Sequence, residues 1–493
     1  MMNSTKGPKL NHRAASPTSR DNLGITSAQT SLQDELCPVV NTVTYRAFYW
    51  PFLVWNYYTC IRNTPKSKLC EKNIGDFFNV EYVKRNDFYF ILGTLLNKDA
   101  DHQNLAGIDN GRAALKSAGP YQYNDKYLQA YFGGMQYYGG GCDTLGFITG
   151  REQDSTPIPG LARLTESVGK PMGEAFDNVV KDTRYYKEYM LTDKPVPKDV
   201  LEELGDVLCI DMRGMDECKS LLKKALFEEC DNEKFSNKYL IQSRDYLLFL
   251  YREHGIIQKP NDYKLREIIY DWFSPRGKNQ YDYPENVKYA VKAWEAIVGR
   301  QYFTTAIELI CNAMIKNLDV PKDFDSLVSD LIKNSDWKVI DIEKPIRQYI
   351  DDCIFDFDER ETLISTGRKD PRKSCENALR ILFSVYNRFV NREDISEKAL
   401  ACGEPVSIRS FITIIERMSG EPVKNILAYI MQRWIIDQNE AVAFEKLMQG
   451  RYGYLFERVD NSYSGTGLEA AAAFQGIRLV NLYQIMKDLD CFE

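Results

Sequence analysis

"YFGGMQYYGGGCDTLGFITG", residues 131–150, carries seven glycines in twenty positions, and its reading decides the fold class. A loop that cradles phosphates would announce a nucleotide-binding α/β domain, whereas a helix terminus leaves the chain mainly helical. A Walker loop needs G-x-x-x-x-G-K-[ST], with the lysine on the phosphates and the hydroxyl on magnesium. Gly141 and Gly146 have that spacing, but Phe147 and Ile148 stand where Lys and Ser/Thr belong. A dinucleotide fingerprint would need a third glycine at Thr144 and a strand in front of the turn. Tyr127, Leu128, Tyr131 and Phe132 instead recur at helical spacing. The stretch therefore reads as a helix ending near Tyr138, with Gly139, Gly140 and Gly141 supplying left-handed backbone for a close chain reversal.

The helical period extends in both directions from there. "IGDFFNVEYVKRNDFYFILGTLL" (74–96) sets Phe77, Phe78, Val80, Val83, Phe88, Phe90, Ile91 and Leu95 largely along one face. "AFYWPFLVWNYYTCI" (47–61) is shorter than the ~20 residues of a membrane span. Interrupted by Pro51 and Asn56, it reads as a core helix kinked at the proline. Alternating strand patterns are nearly absent, so the expected fold class is mainly α, multi-helical. Near the C-terminus "RYGYLFERVD" alternates like a strand, "NSYSGTG" is a turn and "GIRLVNLYQIMKDLDCF" is a helix. These are the parts of a small winged-helix-like α+β unit. The expected division is a disordered tail over 1–20, an N-terminal helical domain over 21–150 and a connector with one helix over 151–195. A central helical domain over 196–365 and a C-terminal helical, winged-helix-like domain over 366–493 complete it.

Of 493 residues, 44% are apolar and 27% charged, as in ordinary globular proteins. The formal charge of −7 divides into +3 over residues 1–150 and −10 over the rest, so the chain is no polycation and any contact with DNA must be local. Twelve cysteines form no C-x-x-C pair, and only three histidines accompany them. That argues against a zinc site and leaves no cofactor to expect. Many unpaired thiols without an apolar leader in "MMNSTKGPKLNHRAASPTSR" point to a reducing cytoplasm.

Two clusters carry the remaining chemistry. In "DDCIFDFDERE" (351–361), Asp356 and Asp358 form a D-x-D pair of the kind that holds Mg²⁺ for nuclease or nucleotidyl chemistry; a solvated acidic loop is the plainer alternative. "WKVIDIEK" (337–344) has the D…E-x-K flavour of a nuclease strand. Lys344 directly follows Glu343, however, and adjacent strand residues face opposite ways. In "TGRKDPRKSCENALR" (366–380), Arg368, Lys369, Arg372 and Lys373 lie in a turn leading into a helix, a placement suited to nucleic-acid phosphates.

"SRDNLGI" (19–25), "FYWPFLVWNYY" (48–58), "GIDNGRAAL" (107–115) and "YNDKYLQAYFGGMQYYG" (123–139) occur in an order that resembles an uncharacterised prokaryotic family. That family is a domain of unknown function met in phage-defence-type gene neighbourhoods. The resemblance covers roughly residues 19–150 and implies a defence context, but it transfers no catalytic residue. The expectation that follows is a non-catalytic helical subunit of a bacterial anti-phage defence complex, bridging an ATPase, helicase or nuclease partner and touching DNA, with no membrane involved. The alternative is a metal-dependent nuclease or nucleotidyl enzyme built on Asp356 and Asp358. A stand-alone DNA-binding regulator fits the overall acidity poorly.

Overall fold

The structure, a computed structural model, describes residues 21–69, 71, 73–124, 135–149, 161–230, 235–254, 260–272, 282–400 and 404–492. The expected tail over 1–20 lies outside them. Of the described residues 62% are helical and 4% are in strands, so the class is mainly α. No helix among the described residues is long and apolar enough to cross a membrane. The chain divides into two units, each discontinuous in sequence. One takes Met1–Leu32, Arg266–Tyr283 and Val291–Gln475; the other takes Gln33–Leu265, Pro284–Ala290 and Gly476–Glu493.

The second of these is organised around the helix Tyr49–Asn63, which buries every residue from Tyr49 to Tyr57. A helix apolar on all sides belongs inside a core. Pro51 is in its first turn, where the missing N–H would have had no intrahelical partner. No kink at Pro51 is therefore required, contrary to the sequence expectation. The helix packs against Gly169–Val180 and Met135–Thr144. Aromatic rings fill the first contact, Trp55 and Phe52 lying 5.2 and 5.9 Å from Phe176. Asp177 gathers the polar atoms at this contact. Trp55 Nε1 and Tyr186 Oη both donate to Asp177 Oδ1, at 3.1 and 2.9 Å, and Arg62 Nη1 reaches Asp177 Oδ2 at 2.8 Å.

The glycine-rich stretch does not end its helix at Tyr138. The helix Met135–Thr144 runs through Gly139, Gly140 and Gly141, and the left-handed residue that ends it is Gly146, at φ +72°. A Cβ on Gly141 would lie 2.6 Å from Trp50 Nε1. The missing side chain lets this helix approach the buried Tyr49–Asn63 helix, and that contact offsets the roughly 1 kcal/mol that glycine costs a helix interior.

Residues 74–96 form one helical run in three parts: Ile74–Phe77, a π-helical stretch Phe78–Lys84, and Arg85–Leu96. The extra residue per turn of the π stretch shifts the buried face, and Arg85–Leu96 is buried on most sides rather than along one stripe. It crosses Lys198–Val207 where two glycines meet. A Cβ on Gly205 would sit 2.1 Å from the Gly93 carbonyl oxygen, a distance no side chain tolerates.

The other unit is built on the long helix Lys288–Lys316, of which Val291 onward belongs to it. Helices Phe357–Lys369 and Pro371–Phe389 pack closely on each other. They are joined only at Asp370, whose side chain accepts from Arg372 N at 3.1 Å, with Pro371 as the first helical residue. Residues 337–344 are not a strand. The backbone N–H groups of Lys338, Val339 and Ile340 all donate to the buried Glu376 Oε1, at 2.8, 2.7 and 2.9 Å. One carboxylate oxygen on the Pro371–Phe389 helix thus holds that segment in a turn.

Near the C-terminus a two-stranded antiparallel sheet pairs Phe456–Val459 with Ser462–Gly465. Its turn falls at Asp460, in the left-handed region at φ +56°, and Asn461, the residue types that a tight hairpin favours. The hairpin is counted with this unit, and the closing helix Arg478–Asp488 with the other.

Candidate functional site

The four basic residues singled out from the sequence straddle the joint between two helices. Arg368 and Lys369 close Phe357–Lys369, and Arg372 and Lys373 open Pro371–Phe389. They are not equivalent. Arg368 Nε donates to the Ala472 carbonyl, and its guanidinium carbon lies 5.0 Å from the centre of the Phe474 ring. Desolvation there holds the guanidinium below the ordinary arginine pKa. Lys369 is exposed, and the Arg372 and Lys373 side chains are 67% and 43% exposed. Asp370 lies between them, 3.5 Å from Arg372 Nε and 3.9 Å from Lys373 Nζ. These are long, exposed pairs worth little, so three cations, beside the exposed but tethered Arg368, face outward against one carboxylate.

Asp356 and Asp358 begin the Phe357–Lys369 helix. Asp356 is its N-cap: Oδ1 accepts from Glu359 N at 3.0 Å, and Glu359 Oε2 accepts from Asp356 N at 3.0 Å. This reciprocal pair is a capping box. Asp358 lies in the first helical turn, where negative charge suits the helix dipole. Among the described residues no group of three or more His, Cys, Asp or Glu is placed to hold a metal ion. Replacing Asp356 by alanine is expected to lower stability by about 1 kcal/mol through loss of the cap, and Asp358→Ala by about 0.5 kcal/mol. Urea denaturation of the two variants checks this, and equal losses would contradict the assigned cap.

Thiol chemistry is suppressed at the buried cysteines. Burial pushes Cys37, Cys218, Cys353 and Cys375 up to about 12 and Cys60 to about 11. These thiols stay protonated at neutral pH, and only the thiolate is a good nucleophile. No described cysteine is in a disulfide.

What the sequence did not single out is a network of buried arginines and aromatic rings in the same unit as the basic joint. Arg360 Nη2 contacts both oxygens of Asp271, at 2.6 and 2.5 Å, and Nη1 donates to the Phe355 carbonyl. Arg388 Nε meets Glu295 Oε1 at 2.7 Å, and Arg392 binds both Glu295 oxygens at 2.6 and 2.7 Å. Tyr302 Oη donates to Glu361 Oε1 at 3.0 Å, and Arg266 lies over Phe474 at 4.1 Å. Buried guanidiniums are retained where each finds a carboxylate and a ring face. Arg360 and Arg388 share one ring, Tyr270, with their guanidinium carbons 4.8 and 4.4 Å from its centroid. No family model, curated protein or solved structure matches the chain.

Proposed function

We propose that this chain is a non-catalytic helical subunit of a prokaryotic anti-phage defence complex, one that holds an ATPase, helicase or nuclease partner and touches DNA through the joint at Asp370. The defence setting rests on the resemblance over residues 19–150. The DNA contact rests on one observation, the outward cluster of Lys369, Arg372 and Lys373 where two packed helices meet. Three cations at one joint, the last two beside a helix N-terminus, suit the charge of a phosphate backbone and read no bases. Capping by Asp356 and burial of the thiols fit a binding role, because both use reactive side chains for folding.

The test is binding of duplex DNA across a salt series. The wild-type chain is expected to lose affinity with rising salt at a log–log slope of about −0.9 for each phosphate neutralised. Replacing Lys369, Arg372 and Lys373 together by glutamine should flatten the slope by about that amount for every phosphate that no longer meets a cation, without regard to DNA sequence. Arg368 is left in place because its guanidinium is tied to Ala472 and Phe474. Affinity at low salt unchanged by the triple substitution would remove the joint from the DNA contact. Recovery of the chain from its native host without an ATPase, helicase or nuclease would remove the complex.

A further inference from the structure

The buried arginine network surrounds a cavity of about 40 Å³, lined among others by Tyr270, Cys353, Phe355, Arg360, Asn387 and Arg388. This is about three times the space one water needs. Ile354, 65% exposed, stands on its rim and connects it to the surface. Three polar atoms on the lining residues have no protein partner: Tyr270 Oη, Arg360 Nε and Arg388 Nη2. Their residues are only 1%, 3% and 8% exposed. Buried polar groups are nearly always paired, so three such atoms around one cavity call for a ligand.

Their chemistry narrows it. Both guanidinium nitrogens can only donate, and burial pushes the Tyr270 hydroxyl up to about 12, so it too remains a donor at neutral pH. Acceptors are already taken: both Asp271 oxygens are bound by Arg360, and Glu295 is bound by Arg388 and Arg392. Arg360 is countered by Asp271 and Arg388 by Glu295, so what the lining leaves open is not charge but unmatched donors on three separate side chains. A water accepts two hydrogen bonds and brings no charge. A tetrahedral oxyanion accepts from all three donors at once, and charge-assisted bonds of this kind are the strong ones.

We propose that the Tyr270–Arg360–Arg388 cavity binds one phosphate group, either inorganic phosphate or the end of a phosphate monoester. It is a site separate from the basic joint at Asp370, and it stands or falls independently of the DNA contact.

The experiment is calorimetric titration of the full chain with inorganic phosphate, and in parallel with methyl phosphate, against chloride at matched ionic strength. Phosphate is expected to bind and to raise the melting temperature in proportion to its saturation, while chloride does neither. Tyr270→Phe deletes only a hydroxyl that has no protein partner. It should bind phosphate about tenfold more weakly while melting no lower than wild type in phosphate-free buffer. Arg388→Lys keeps a cation for Glu295 but loses Nη2, and should weaken binding further. Should that variant fail to fold, Tyr270→Phe still decides. Methyl phosphate binding as well as phosphate assigns the site to a monoester end; binding of phosphate alone assigns it to the free ion. Absence of any heat or thermal shift at about 10 mM phosphate, or wild-type affinity in Tyr270→Phe, overturns the proposal.

Discussion

Replacing Arg46 by alanine is expected to destabilise the protein by about 3–5 kcal/mol, the scale of breaking a buried ion pair from one side. The Arg46 side chain is fully buried, with Nε 3.0 Å from Asp488 Oδ2 and Nη1 3.1 Å from Asp101 Oδ2 and 3.0 Å from the Gln103 carbonyl. It thus ties the segment before the Tyr49–Asn63 helix to the loop at 101–103 and to the last turn of the closing helix. Its removal affects the two carboxylates unequally. Asp101, partly exposed, can regain water, whereas Asp488 is 2% exposed and keeps only Ala47 N and Gln484 Nε2 as donors. Asp488 also sits at a helix C-terminus, where negative charge is disfavoured. Burial already holds its carboxyl at about 6, above its ordinary 3.8, in spite of Arg46. Without the guanidinium it rises further. The folded variant then keeps a proton that folded wild type releases at about 6, so its deficit grows as pH rises above about 6. Urea denaturation at several pH values reads both effects. Arg46→Met combined with Asp488→Asn should recover more than half of the loss, because the uncompensated charge is gone. A cost below about 1 kcal/mol for Arg46→Ala would mean that the pair behaves as an exposed one.

The helical class was legible in the sequence because apolar spacing is a local signal: of Leu240, Leu247, Leu248 and Leu250, expected as a buried stripe, three are buried and Leu248 is half-buried. The glycines misled because the reason for Gly141 lies in Trp50, on another helix; composition alone cannot distinguish a glycine that ends a helix from one that lets a helix approach. Asp356 was legible in another way. An aspartate followed three residues later by Glu359, ahead of an apolar period, is the signature of a capping box, and it accounts for the pair that D-x-D spacing offers to a metal. The arginine network left no mark in the sequence. Arg266, Tyr270, Glu295, Arg360 and Arg388 obey no common interval, and only the folding of two separate segments into one unit brings them together. The triplet of backbone donors around Glu376 is hidden for the same reason.

A second large effect is expected from Glu308, whose carboxyl is 3% exposed on the Lys288–Lys316 helix. Burial pushes it from its ordinary 4.5 up to about 8, and Asp21 raises it further, while backbone N–H groups of Ala472 and Ala473 and the Arg368 guanidinium pull it down. Between about 4.5 and about 8 the folded chain therefore keeps a proton that the unfolded chain has lost, so stability falls as pH rises through that window. At 1.36 kcal/mol per pKa unit, the full cost above the folded pKa reaches about 5 kcal/mol. Glu308→Gln keeps the carbonyl acceptor for the backbone N–H groups and removes the charge. The variant should match wild type near pH ~5 and exceed it by up to about 5 kcal/mol near pH ~9. Asp488 titrates at about 6 and contributes equally to both proteins, so the difference between their denaturation curves isolates Glu308. Parallel stability profiles for wild type and Glu308→Gln from pH ~6 to pH ~9 would show that the carboxyl is ionised throughout. The Arg368 guanidinium would then be its counter-charge, and Arg368→Gln should destabilise the chain more at pH ~9 than at pH ~5.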